Sequence, residues 1–266
     1  MRGLDHIALA VRDLDQCKAS FEQLGFTTTP NALHPWGTAN SLIQFDRSFI
    51  EILSVAQPQK ISDAAAGEFS FGDYNRRFLE HHEGMSMLAF SSTDARADQA
   101  RWRSLGLQTY ALFNFSRAAT LPTGEQVTVA FTLAIVTHPQ MPDAAWFVCQ
   151  QHFPEHFWKP QYQQHSNTAK DMQCVWMQAE NPVQYSDFLA RLFAEGEVTE
   201  QHDGITLQLD YGRVAIRTPQ SVAERFPGMD LPSTANGPRF VAVTIGAGEA
   251  SRAVSVYGLI VERTSL

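Results

Sequence analysis

Two side chains near the start of the chain are of the types that bind a divalent metal ion. His6 lies in the first apolar stretch of the sequence, and Glu51 lies in a later one. Each stretch predicts a β-strand, and alternate side chains of a strand point to opposite faces of the sheet. On this pattern Ala8 and Ala10 share a face with His6, so two small side chains leave room for a ligand beside the imidazole. An imidazole and a carboxylate from two strands of one sheet could therefore hold one cation.

The composition is that of a globular protein, and it excludes several classes of function. The 266 residues are 44% hydrophobic and 18% charged, with a formal net charge of -8. The acidic balance argues against nucleic acid as a partner, because phosphate binding needs clustered Lys and Arg. No apolar run is long enough to cross a bilayer, and no signal peptide precedes the first strand. Cys17, Cys149 and Cys174 have no close spacing, which predicts reduced thiols. We therefore expect a cytoplasmic protein without a membrane partner.

One order of predicted elements recurs along the chain. Residues 1–56 read as a strand, a helix and three further strands, and residues 84–153 repeat this β-α-β-β-β order. Residues 171–266 contain a third unit and a truncated fourth, recognisable by element order alone. The sequence thus predicts an α+β protein, with paired units in residues 1–170 and a degenerate second pair in residues 171–266. An exposed sheet edge could support a homodimer.

Three motifs of the first unit carry a family resemblance. They are DHIALAV at residues 5–11, HPWGTAN at residues 34–40 and FIEIL at residues 49–53. Together with the repeated units, they resemble the vicinal oxygen chelate superfamily and its branch of glyoxalase, bleomycin-resistance and dioxygenase domains. The resemblance implies that the units form incomplete β-barrels with helices outside, and that a metal ion lies in the cleft. At the matching positions His6 is a first-strand ligand and Glu51 a last-strand ligand.

The second unit departs from the metal-binding pattern of that superfamily. Aligning the units puts Met85 where a second histidine would stand and Gln150 where a second carboxylate would stand. A thioether is a poor ligand for a hard cation, whereas an amide carbonyl can bind one without adding charge. His152 lies two residues beyond Gln150 and shares its face, so the pair would complete a set with His6 and Glu51 if that face lines the cavity. Such a set suits Zn, Ni, Mn or Fe; the alternative is a cleft without metal.

Several further side chains are candidates for contacts with a small molecule. Trp36 and Asn40, both in the HPWGTAN motif, are expected to line the wall of the cleft. Cys174 and Trp176 occupy the first strand of the third unit and are candidates there. Arg117 and Arg217 are each of the type that anchors an anionic substrate, although most arginines simply lie at the surface. The aromatic connection after residue 152 reads either as a cover for a sheet edge or as a lid.

Two classes of function follow from the resemblance. In the first, the protein is a metal-dependent lyase, isomerase or dioxygenase that chelates two neighbouring oxygens of a small substrate. Glu51 would then be a catalytic residue as well as a ligand. In the second, the protein binds and sequesters a small aromatic or apolar compound without metal, as bleomycin-resistance-type relatives do. The departure at Gln150 favours binding, whereas His6 together with Glu51 favours chemistry.

Overall fold

The strands of the protein form two separate mixed sheets. A computed structural model of the chain describes residues 2–120, 124–193 and 197–266. The first sheet contains β1 (Leu4–Ala10), β2 (Ala32–Leu33), β3 (Thr38–Gln44), β4 (Phe49–Val55), β5 (Gly84–Ser91), β6 (Gln108–Thr109), β7 (Phe113–Thr120), β8 (Gln126–Thr137) and β9 (Ala145–Gln151). The second contains β10 (Ala169–Gln178), β11 (Glu197–Gln201), β12 (Gly204–Gln208), β13 (Arg213–Arg217), β14 (Arg239–Ala247), β15 (Ser251–Val256) and β16 (Leu259–Ser265).

The topology confirms the repeated units that the sequence predicts. The first sheet has the order β2-β3-β4-β1-β5-β9-β8-β6, with β7 paired to β8. Within each unit the first and last strands are parallel, and β1 and β5 join the two units as an antiparallel pair at the centre. The second sheet repeats this plan as β11-β12-β13-β10-β14-β16-β15, with β10 and β14 at its centre. Neither sheet closes into a barrel. The division predicted at residue 170 falls inside β10.

In the described ranges, six short α-helices connect or cover the sheets. They are α1 (Leu14–Gln23), α2 (Phe71–His81), α3 (Ala95–Ser104), α4 (Pro154–Phe157), α5 (Ser186–Leu192) and α6 (Pro219–Arg225). The carboxylates of Asp13 and Asp94 accept hydrogen bonds from backbone amides of the first turns of α1 and α3, which is the usual role of aspartate at the start of a helix. None of the helices in the described ranges combines the length and apolarity needed to cross a lipid bilayer.

One face of each sheet contributes to a single hydrophobic core that the two sheets share. Trp146 of the first sheet and Phe240 of the second lie with ring centroids 5.1 Å apart. Trp102 of α3 is fully buried, and its indole Nε1 donates a hydrogen bond to the carbonyl of Leu192 over 2.7 Å. Because the same buried cluster includes side chains from β1, β10 and α5, neither sheet has a separate core on this side.

Helices α2 and α6 cover the faces of the sheets that do not contribute to the shared core. The position of α2 bears on the expectation that Ala8 and Ala10 leave room for a ligand. Ala8 belongs to the same buried cluster as Phe71 of α2, and Ala10 belongs to the same cluster as Phe78 of α2. The two alanines therefore make room for a helix and not for a ligand. In the second sheet α6 takes the corresponding place, where it packs against Trp176. As a result, only part of the first sheet's face remains open.

Candidate functional site

The open part of the first sheet forms a cavity with mostly aromatic walls. It encloses about 640 Å³, including the space at its mouth. Strands β3, β4, β7, β8 and β9 supply most of the wall, and α2 and α4 each add one phenylalanine. The lining residues are His6, His34, Trp36, Asn40, Leu42, Phe49, Glu51, Phe71, Phe113, Phe115, Arg117, Phe131, Leu133, Phe147, Cys149 and Phe157.

Glu51 and Arg117 are the charged residues of opposite sign in this wall. Glu51 is buried, and its Oε1 accepts a hydrogen bond from the amide of Asn40 over 2.6 Å. Arg117 has no ion pair within the described ranges, and burial lowers the pKa of its guanidinium, with Glu51 acting in the opposite direction. The cavity thus presents a fixed carboxylate and a cation that is not neutralised by a direct partner.

The turn that follows β2 brings two aromatic rings to the wall of the cavity. His34 is buried, stacks on Trp36 with ring centroids 4.6 Å apart, and makes a hydrogen bond from Nδ1 to the hydroxyl of Thr38 over 2.8 Å. Burial lowers the pKa of His34, so its imidazole is neutral near pH 7. The expectation from the sequence that Trp36 and Asn40 wall the cleft matches their positions.

His6 reaches the cavity from β1, held by three neighbours. Its ring stacks on Phe49 of the adjacent strand, with centroids 4.2 Å apart and planes 14° apart, and meets the edge of Phe147. Its Nδ1 lies 2.5 Å from Oδ1 of Asp5, also buried. The hydrogen-bond partner of the imidazole is thus the preceding residue of the same strand.

The four predicted metal ligands do not meet in the structure. His6 and Glu51 both line the cavity, but Gln150 and His152 lie on the opposite face of β9. The amide of Gln150 bonds the backbone at Thr93 and Ala95, and His152 bonds Thr132. Gln150 and His152 were expected on the cavity face of β9. They lie on the other face because β9 pairs with its neighbours so that Phe147 and Cys149 point into the cavity.

The residues therefore do not fit a metal held by the predicted set. Within the described ranges, a group of three side chains with ligand atoms close enough for one ion does occur, but it consists of Asp5, His6 and Cys149 and excludes Glu51. Met85, which the sequence alignment of the two units placed at the position of a metal-binding histidine, belongs to the hydrophobic core that the two sheets share. The side chains grouped with His6 in this way are thus Asp5 and Cys149.

Cys174 and Trp176, the candidates from the third unit, lie in the second sheet and away from this cavity. The thiol of Cys174 is fully buried, which raises its pKa to about 11. The ring of Trp176 packs edge-on against Phe226, and its Nε1 donates to the hydroxyl of Thr244 over 2.9 Å. Both side chains take part in packing, and α6 covers the face on which a ligand would have to lie.

Sequence reasoning missed most of the aromatic wall. Phe113 and Phe115 alternate along β7, and Phe131 and Leu133 alternate along β8. This spacing of two is the signal that one face of a strand is apolar. Phe157, from the connection after β9, also enters the wall, while His165 of that connection bonds the backbone at Thr27 and Gln44.

Comparison with known proteins gives the family. The profile of the glyoxalase-like domain matches residues 4–193. A hypothetical protein from Staphylococcus aureus of known structure is 15% identical, with both chains covered completely and a TM-score of 0.76. A mutant of 4-hydroxymandelate synthase from Streptomyces coelicolor is 13% identical over 93% of this chain and 72% of that one, with a TM-score of 0.54. No curated protein is significantly similar to the chain. The protein belongs to the glyoxalase-like domain family.

Proposed function

We propose that the cavity of the first sheet binds a small molecule with an aromatic or other apolar body and an anionic group. The observation that carries this proposal is the composition of the wall. Eight of its sixteen residues are Phe or Trp, and Arg117 is its permanently charged cation. Aromatic walls with a few polar groups are typical of small-molecule sites, and a planar ring gains additional contact energy against such walls.

The positions of Glu51 and Arg117 favour one orientation of the bound molecule in the cavity. Glu51 repels an anion, whereas Arg117 lacks an ion pair within the described ranges and attracts one. The guanidinium also lines the adjoining groove with His156 and Lys159, so the potential on that side favours negative charge. The apolar body of the ligand would then lie deep among the phenylalanines, with its anionic group directed toward Arg117.

Calorimetric titration with matched probes tests this proposal. Phenylacetate carries a ring and a charge, phenylacetamide carries the ring alone, and acetate carries the charge alone. We expect phenylacetate to bind most tightly and Arg117→Gln to weaken its binding by about 10- to 100-fold, the range of a hydrogen bond to a charged group. Arg252→Gln, which removes an exposed arginine of the second sheet, is the matched control and leaves binding unchanged. Equal binding of the acid and the amide would contradict the proposed role of Arg117.

A second candidate function is chemistry on the bound molecule, as a lyase, isomerase or dioxygenase of the superfamily. One observation favours it. Asn40 binds Oε1 of Glu51, whereas Oε2 has no hydrogen-bond partner within the described ranges. A carboxylate so placed in an apolar cavity can accept a proton from a bound substrate. Exchange of the acidic C–H hydrogens of phenylpyruvate with D2O, followed by NMR, tests this role. Acceleration that Glu51→Gln abolishes supports it, and exchange at the rate in buffer alone contradicts it.

A further inference from the structure

A bulge in β1 brings two neighbouring side chains to the same place. Leu4 pairs with Phe90 and His6 pairs with Ala89, so Asp5 is an extra residue between two consecutive partners on β5. Adjacent side chains of a regular strand point to opposite faces, but a bulge changes the direction of one of them. The carboxylate of Asp5 consequently meets the imidazole of His6 instead of lying on the other face of the sheet.

The thiol of Cys149 completes a buried cluster with these two residues. One ligand atom from each of Asp5, His6 and Cys149 lies within 4.8 Å of the other two. All three residues are less than 6% exposed, so water competes little for these atoms. Asp5 and Cys149 also line a cleft on the other side of the cluster, which gives a route from solvent to the group.

We propose that Asp5, His6 and Cys149 form a binding site for a zinc ion or a comparable divalent transition-metal ion. Carboxylate, imidazole and thiolate are the three side-chain ligands that zinc uses in proteins. With metal–ligand bonds of about 2.0 to 2.3 Å, tetrahedral ligands lie about 3.4 Å apart, so the three atoms need only small movements. The site shares His6 with the set expected from the sequence but uses neither Glu51 nor Gln150.

A fourth ligand is available beside the cluster. The amide nitrogen of Gln151 lies 3.3 Å from Oδ2 of Asp5, and Oε1 of the same amide is buried without a hydrogen-bond partner within the described ranges. A buried carbonyl oxygen that lacks a partner costs free energy, which binding to a cation would recover. A half-turn of the Gln151 amide would exchange its nitrogen and oxygen and direct Oε1 toward Asp5.

The charges around the sulfur favour a cation. Burial raises the pKa of the Cys149 thiol well above its usual value, and the nearby carboxylates of Asp5 and Glu51 raise it further. The same negative potential that disfavours a thiolate stabilises a divalent ion beside the sulfur. On binding, the S–H bond breaks, the proton leaves to solvent and a metal–sulfur bond forms, with no change of oxidation state. Affinity for the metal should accordingly increase with pH.

Titration of the chelator-treated protein with Co²⁺ and Zn²⁺ tests the site directly. We expect about one equivalent of Co²⁺ to bind, with the near-ultraviolet absorption of a cobalt–thiolate bond, and Zn²⁺ to displace it. Cys149→Ser should abolish this absorption and weaken binding by more than about 100-fold, beyond the usual effect of losing an outer-shell partner. Cys174→Ser, which changes a buried cysteine of the second sheet, is the matched control and should retain both signals.

Further variants keep the test decisive. Asp5→Asn retains the size of the side chain and should weaken Co²⁺ binding. This variant tests the site independently if Cys149→Ser does not fold. Glu51→Gln removes a nearby charge but no ligand, so it should retain both the single equivalent of Co²⁺ and the cobalt–thiolate absorption. Binding without thiolate absorption, binding that Glu51→Gln abolishes and Cys149→Ser does not, or no binding above background would each overturn the proposal. Phenylacetate titrated with and without zinc is a separate readout, so failure of the metal site is distinguishable from failure of the proposed ligand cavity.

Discussion

Asn40 donates a hydrogen bond to Glu51 over 2.6 Å, and this bond fixes the position of the only carboxylate among the residues that line the aromatic cavity. Asn40 reaches Glu51 from the neighbouring antiparallel strand, where the two residues are offset along the ladder. The pair thus depends on the register of β3 and β4. A shift of one strand by one residue would turn its own member of the pair away from the cavity.

Replacing Asn40 by leucine should destabilise the protein through Glu51. The buried carboxylate would lose its donor, and removing a hydrogen bond to a charged group costs about 1.5 to 3 kcal/mol. Urea denaturation near neutral pH measures the change in the free energy of unfolding. Because two apolar partners can replace a buried polar pair at little cost, the double variant Asn40→Leu/Glu51→Leu should recover most of the loss. If the double variant is destabilised by the sum of the losses of the two single replacements, the hydrogen bond contributes nothing to the free energy of unfolding.

His165 should make stability depend on pH. Its Nδ1 accepts the amide hydrogen of Thr27 over 2.9 Å, and its Nε2 lies 2.9 Å from the carbonyl of Gln44, so the neutral ring satisfies both groups. Burial lowers the pKa of His165 below 6.5. The unfolded chain then binds a proton more readily than the folded one. The contribution to stability is complete above about pH 6.5 and is lost as the pH falls below it.

The measurement compares the free energy of unfolding at about pH 7.5 and about pH 5.5. His165→Gln can keep one acceptor and one donor but does not titrate, so its free energy should change less between the two conditions. This comparison is needed because burial also lowers the pKa values of His34 and His138. If the free energy of unfolding changes equally with pH in the wild type and the variant, His165 does not contribute to the pH dependence of stability.

The repeated units and part of the site could be predicted from the sequence, because both depend on local patterns. Alternation along β4 places Glu51 on the cavity face, and the turn residues before β3 place Trp36 in the wall. The positions that could not be predicted depend on register. Asp5 joins His6 only because β1 has a bulge, and Cys149 replaces Gln150 in the cavity because β9 is offset by one residue from the aligned position.

The helix that covers the first sheet could be predicted only in part. Residues 57–74 read as a polar excursion with a possible short helix, and Phe71, Phe78 and Leu79 have the spacing of one helical face. Whether such a helix lies on a sheet or in solvent depends on tertiary packing that periodicity does not contain. The small side chains of Ala8 and Ala10 are the complementary signal, because they allow α2 to approach the sheet closely.

Trp102 should support the stability of both sheets. It is fully buried in the shared core and bonds the end of α5 from α3. Trp102→Ala should cost about 3 to 5 kcal/mol, as expected for loss of a buried tryptophan. Hydrogen exchange followed by mass spectrometry should show faster opening in β1 and in β10 alike. Faster exchange in the first sheet alone would contradict a shared core. Trp158→Ala, at the edge of the other face, is the control and should cost less.

Phe226 should be the side chain that closes the second sheet to ligands. It is almost fully buried and meets Trp176 edge-on, with ring centroids 5.6 Å apart. Phe226→Ala should cost about 3 to 5 kcal/mol and leave an apolar void. Because dry apolar cavities of this kind bind benzene, saturating benzene should raise the melting temperature of Phe226→Ala but not that of the wild type. Phe226→Leu fills most of the space and should show a smaller loss of stability and little response. A benzene response in the wild type of equal size would mean that α6 does not seal this face.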